Sequence, residues 1–177
     1  MGWNEGSTHG YIIVTNSPPA TPHSGSWLAW LGDENNEVSY ISQGGISIGA
    51  STTLRLWYWI NSEDACGNDY GYVQVNSITI QTWNLCSINN TYGWAMLDLN
   101  LAAYIGQAVT LSVVTTSNSS LYSGLLIDDV SLIPPPTISG NAGIAGATLN
   151  YTGGSTDRKS TRLNSSHIQK SRMPSSA

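Results

Sequence analysis

The sequence contains no phenylalanine, and no lysine before position 159. Of its six basic residues, five (Arg158, Lys159, Arg162, Lys170 and Arg172) fall within 157–177. Residues 1–156 therefore carry ten carboxylates and one guanidinium, Arg55, a formal charge of −9 against −5 for the whole chain. A surface this acidic repels nucleic acid and anionic lipid, which excludes both as partners. No apolar run is long enough to cross a bilayer, so membrane insertion is not expected. The opening GWNEGSTHG lacks the basic and apolar stretches of a secretory leader. P-loop and dinucleotide fingerprints are absent.

Residue types for chemistry are equally sparse. Only His9 and His23 precede position 157. Serine is plentiful, but nothing marks one as a nucleophile with a base and an orienting acid. Asp128 and Asp129 are adjacent and should face opposite sides of a strand, which suits glycoside hydrolysis badly. The chain is read as non-enzymatic.

What is abundant is aromatic and β-forming: seven Trp and nine Tyr among many Ser, Thr, Asn and Gly. Short alternating runs recur between turn residues. They are GYIIVTN, SWLAWLG, EVSYISQ, TTLRLWYWI, YGYVQV, SITIQTW, YGWAMLDL, AVTLSVVTT and GLLIDDVSLI. In the clearest, Leu54, Leu56, Tyr58 and Ile60 share one face, and Arg55, Trp57 and Trp59 the other. Trp27, Ala29 and Leu31 are expected on one face of their run, Leu28 and Trp30 on the opposite one. Nine or so strands with no helices between them predict an all-β, antiparallel two-sheet sandwich over 1–133.

Pro134, Pro135 and Pro136 read as a stiff linker. The Gly-rich stretch 137–156 reads as the truncated start of a second β-repeat. Residues 157–177 break with everything before them. DRKSTRLNSSH and SRMPSSA resemble one reading frame of a sequencing-library adapter, so this segment is expected to be a non-native, disordered tail.

Cys66 and Cys86 flank GNDYGYVQVNSITIQTWNL, which reads as a hairpin whose open end brings them together. The alternatives are a disulfide, which implies an oxidising compartment, and two buried thiols. The paired acids of LLIDDVSLIPPP pose a second choice. If Val130 and Leu132 face the core, Asp128 shares their side, and Asp129 goes with Leu125 and Ile127. An inward carboxylate needs a partner. It has either loop donors or a bound cation.

Six stretches taken in order carry a family resemblance: PHSGSWLAWLG, ISQGGISI, TTLRLWYWINSED, DYGYVQV, GWAMLDLNLAAYIGQAVTLSV and LLIDDVSLI. Together they resemble MAM-like and carbohydrate-binding-module-like jelly-roll domains, galactose-binding-like in type, across residues 2–133. The resemblance implies a non-catalytic adhesion or glycan-binding module of a secreted or surface protein, bacterial in source, working beside neighbouring domains of the same chain. It also implies a structural calcium ion held by Asp128 first and Asp129 second, with carbonyls from the TPHSGS loop. Family members begin with one more strand, so an unpaired edge is expected here. Glu63, Asp64 and Asp69 cluster in a loop, either as a second cation site or as a solvated acidic turn. For a glycan, Trp57 and Trp59 offer a stacking platform that Tyr70 and Tyr72 would extend. Otherwise that face packs under a loop or anchors a protein interface. The alternative function is a structural spacer with no glycan ligand.

Overall fold

The computed structural model describes residues 2–49 and 52–133. The expectations for the linker, the truncated repeat and the tail lie outside the described residues.

Ten strands form two five-stranded antiparallel sheets. The first has the order β1 (Asn4–Ser7), β4 (Val38–Ser47), β9 (Ala108–Thr116), β6 (Tyr70–Val75), β7 (Ile78–Asn84). The second has the order β2 (Val14–Thr15), β3 (Leu28–Gly32), β10 (Ser123–Ile133), β5 (Thr53–Ser62), β8 (Ala95–Asn100). Two short 3-10 turns, Ser87–Asn89 and Ala102–Tyr104, are the only helical pieces among the described residues. The predicted all-β sandwich is the fold observed.

Period-two alternation builds the core. Leu54, Leu56 and Ile60 of β5 are at most 3% exposed and face Val73, Val109, Leu111 and Val113 of the first sheet. Each buried aliphatic side chain contributes about 1.5–3 kcal/mol of transfer free energy. With no phenylalanine to fill the wider gaps, Trp83 packs against Tyr58 with ring centroids 5.1 Å apart. The β6–β7 hairpin turns on Asn76 and Ser77, both at positive φ (51° and 67°), as a two-residue hairpin loop requires. Cys66 and Cys86 form the disulfide at its open end, with Cα atoms 4.9 Å apart.

Three expectations are corrected. The edge expected to be open is covered: β1 pairs with β4 from Asn4↔Ser42 to Ser7↔Ser39. Its sequence, NEGS, has no apolar alternation to announce it. The run read as beginning at Gly10 shortens to the two residues of β2. Trp27 lies ahead of β3 and is 55% exposed rather than sharing the core face of Ala29 and Leu31.

β1 is held by more than its ladder. Glu37 is 1% exposed, and its carboxylate accepts from Thr8 N (3.0 Å), His9 N (3.3 Å) and His9 Nδ1 (2.5 Å). Burial works to raise the Glu37 pKa, but hydrogen bonds from Ser7, His9 and Thr8 outweigh it and hold the carboxyl below its ordinary value.

Two stability predictions follow from these ties. Replacing both cysteines by serine removes a cross-link between residues 20 apart and should cost about 3 kcal/mol in urea denaturation. A lowered carboxylate pKa stabilises the fold above the ordinary range and loses that contribution as pH falls through the folded value. The melting temperature should therefore drop below about pH 4. Glu37→Gln should melt lower than wild type at pH 7 and show a flatter acid limb in melts from pH 7 to 3.

Candidate functional site: the outer face of the second sheet

The closing strand decides where the paired acids point. β10 is in register with β5 through Asp128↔Trp57, then shifts before Ser131↔Arg55. Asp129 sits in this bulge at φ 48°. Leu125 and Ile127 face the core, so Asp128 falls on the outer face beside Trp57. The bulge then resets the alternation, and Val130 and Leu132 pack back against the core. The expectation that Asp128 shares their inward side is thus corrected. Asp129 does not follow Leu125 and Ile127 inward either.

Both acids instead grip residues 23 and 24 of the HSG segment. Asp128 accepts from Ser24 N (3.2 Å) and Asp129 N (2.7 Å). Asp129 accepts from Ser24 Oγ (2.5 Å) and His23 Nδ1 (2.6 Å). These bonds, Ser24 first and His23 second, hold the Asp129 carboxyl below its ordinary value against a smaller opposing effect of burial. All four carboxylate oxygens meet a donor within the protein, so loop donors answer the pair. Ser24 Oγ turns to Asp129 rather than to the His23 ring. Serine, histidine and aspartate therefore meet here without the connectivity of a hydrolytic triad.

The same loop covers part of the aromatic face. The His23 ring stacks on Trp57 at 3.8 Å and 18°. Trp94 meets His23 and Trp59 edge-on, each at 6.0 Å, and its indole N–H donates to Thr21 O (3.0 Å). Trp57 is thereby a seat for the loop, while Trp59 lines an open groove of about 400 Å³ with Pro19, Ala20, Thr21, Asn61 and Leu126. Tyr70 and Tyr72 stack side by side at 6.1 Å, but on the outer face of the first sheet. The whole core separates them from Trp59, so they cannot extend its platform.

The aromatic that sequence reading did not assign to the platform is Trp30. Alternation placed it opposite Ala29 and Leu31, but its cross-strand neighbours depend on the topology. β10 lies between β3 and β5, and Leu126 is in register with Trp30 on one side and Trp59 on the other. The two indoles thus belong to one cross-strand row, two strand spacings or about 10 Å apart. Trp30 lines its own groove of about 290 Å³ with Tyr11, Ile12, Ile13, Gly32, Asp33 and Glu34. Beyond the row, Gly32, Gly124 and Asn61 are the next residues in register. Gly124 is buried, with Asp33 Cβ and Trp30 Nε1 each 3.7 Å from where a Cβ would stand. Among the described residues, the indole N–H groups of Trp30 and Trp59 make no hydrogen bond, and the Asn61 side chain is exposed. Asp33 stands at the rim, its pKa raised by burial first and then by the nearby charges of Glu34 and Glu63. The face thus offers flat apolar surface, free N–H donors and amide and carboxylate acceptors, with no positive charge.

No family model matches this sequence, and no curated protein sequence matches it. Solved structures do match in fold. The K1 cleaved adhesin domain of Lys-gingipain from Porphyromonas gingivalis W83 superposes with a TM-score of 0.55 at 8% identity, over 76% of this chain and 91% of that one. The K3 cleaved adhesin domain of the same protein gives 0.54 at 13% identity, over 75% and 91%. TmCBM61, solved in complex with β-1,4-galactotriose, gives 0.52 at 14% identity, over 75% and 88%. At these identities the likeness concerns architecture: this chain has the β-sandwich fold that carbohydrate-binding modules and adhesin domains also have.

Proposed function

We propose that this domain is a non-catalytic carbohydrate-binding module that takes a neutral glycan on the outer face of the second sheet. The observation that carries the reading is the pair Trp30 and Trp59, each lining its own groove and flanking the buried Leu126 in one cross-strand row. An indole face packs against the axial C–H groups of a pyranose, burying apolar surface on both partners. The free indole N–H groups, Asn61 and Asp33 then supply donors and acceptors for ring hydroxyls, the usual combination of apolar walls and a few polar groups. Carboxylates at the rim favour an uncharged sugar over an acidic one. The β-1,4-galactotriose bound by TmCBM61 makes neutral β-linked oligosaccharides the first class to test.

The disulfide fits an oxidising setting, and the proposal places the module outside the cell, on a secreted or surface protein with further domains. No helix among the described residues is long and apolar enough to cross a membrane.

A glycan array of neutral β-linked oligosaccharides, followed by calorimetric titration of the best binder, tests the reading. Trp30→Ala and Trp59→Ala should each weaken binding by at least about tenfold, because each removes one stacking face. Tyr70→Ala, on the opposite sheet, should leave affinity unchanged. A folded domain that binds no glycan would leave the spacer reading in its place.

A further inference from the structure

One end of the sandwich is polar inside. Ser39, Thr115, Ser62, Ser123, Glu37, Asp64 and Asp69 are all at most 4% exposed and cluster at the end where β10 begins. Most of these groups satisfy one another. Ser39 Oγ meets Thr115 Oγ1 at 2.7 Å, and Ser62 Oγ meets Ser123 Oγ at 2.8 Å, the pair dividing its two hydroxyl protons between that contact and Leu85 O, 3.2 Å from each. Glu37 is satisfied by Thr8 and His9.

Three atoms are not. Among the described residues, the buried side-chain polar atoms with no hydrogen-bond partner are Asn35 Oδ1, Asp64 Oδ2 and Asp69 Oδ2. All three are oxygens. Two belong to carboxylates that are 3% and 0% exposed. A buried ionised carboxylate with an open oxygen costs several kcal/mol unless a positive charge answers it. Among the described residues the one guanidinium, that of Arg55, is bonded to Asp98 on the second sheet.

The three residues come from loops that are tied together. Asn118 donates its N–H to Asp69 Oδ1 (2.7 Å) and accepts from Asn36 N (2.6 Å), which joins the Asp69 loop to the Asn35 turn. Asp64 O accepts from Ser87 N and Asp69 O from Leu85 N, each at 2.9 Å. Both acids thus flank Cys86, and the disulfide to Cys66 locks the loop that carries them.

We propose that Asp64, Asp69 and Asn35 hold a divalent cation where these loops converge, with Asp69 as its most deeply buried ligand. An all-oxygen set of two carboxylates and an amide suits calcium, which completes its six to eight ligands from carbonyls and water. The site lies at the start of β10, away from Asp128 and Asp129 in the middle of that strand. It is independent of the sugar reading. The ion fixes the turn after β3, whose Asp33 and Glu34 form the rim of the Trp30 groove.

The test uses the full chain stripped of metal, titrated calorimetrically with calcium chloride and melted in calcium or in EGTA. Wild type should bind one calcium ion per chain, and its midpoint should rise by at least about 5 °C at saturation. Asp64→Asn and Asp69→Asn should each lower calcium affinity at least about tenfold, while Asp128→Asn should not. In EGTA, Asp69→Asn should melt above wild type, because it removes a buried charge that has no counter-ion. If either isosteric variant fails to fold, Asn35→Ala, in a half-exposed turn, gives the same readout. Failure of wild type to bind millimolar calcium, wild-type affinity in either folded aspartate variant, or loss of binding in Asp128→Asn would each overturn the site.

Discussion

Negative charge without basic partners is the constraint that shapes this molecule. The single guanidinium among the described residues is committed to Asp98. The other acids must be satisfied by N–H and O–H groups, and backbone amides provide most of them. Glu5 accepts from the amides of Ile13 and Val14, Glu37 from those of Thr8 and His9, and Asp128 from those of Ser24 and Asp129. A carboxylate that collects several amides stays ionised and pins the segment carrying them. Acids therefore take the place that apolar staples hold elsewhere, fastening the irregular segments 8–14 and 23–24 to the sheets.

The two outer faces diverge as a result. On the second sheet, the segment fastened by Asp128 and Asp129 lies over Trp57 and leaves Trp59 beside an open groove. On the first sheet, Tyr70 and Tyr72 stack on each other with no loop anchored by an acid above them. The Asp128–Asp129 pair thus shapes the candidate glycan face indirectly: it decides which tryptophan is covered and which is free.

Much of the architecture was legible because period-two alternation is a direct record of burial. The run from Leu54 to Ile60 sorted its residues onto the sides they occupy, and the cysteines were placed at the open end of a hairpin that does close there. Alternation failed where one residue breaks the period. The bulge at Asp129 has no signature in IDDVSL, and a single extra residue exchanges the two faces for everything beyond it. It also failed where assignment of strands to sheets matters. Nothing local in YGYVQV says that it joins a different sheet from TTLRLWYWI, so Tyr70 and Tyr72 were grouped with the wrong tryptophans. Trp30 was visible as an outward residue, but its partnership with Trp59 exists only because β10 runs between β3 and β5. The acids of the Asp64–Asp69 loop read either as a second cation site or as a solvated acidic turn. Burial, which sequence composition does not encode, separates them from the latter.

The position of β10 has a consequence for how the chain comes together. Among the described residues it is the last strand in sequence, yet it is internal to its sheet, bonded to β3 and β5 on either side. During synthesis the second sheet can exist only as two separate halves, β2–β3 and β5–β8, each with an unpaired edge that invites association with other chains. The eleven residues Ser123–Ile133 close the gap between them. Completion of the second sheet therefore waits on β10: a nascent chain halted before Ser123 would hold the nine preceding strands with that layer still in two unjoined halves.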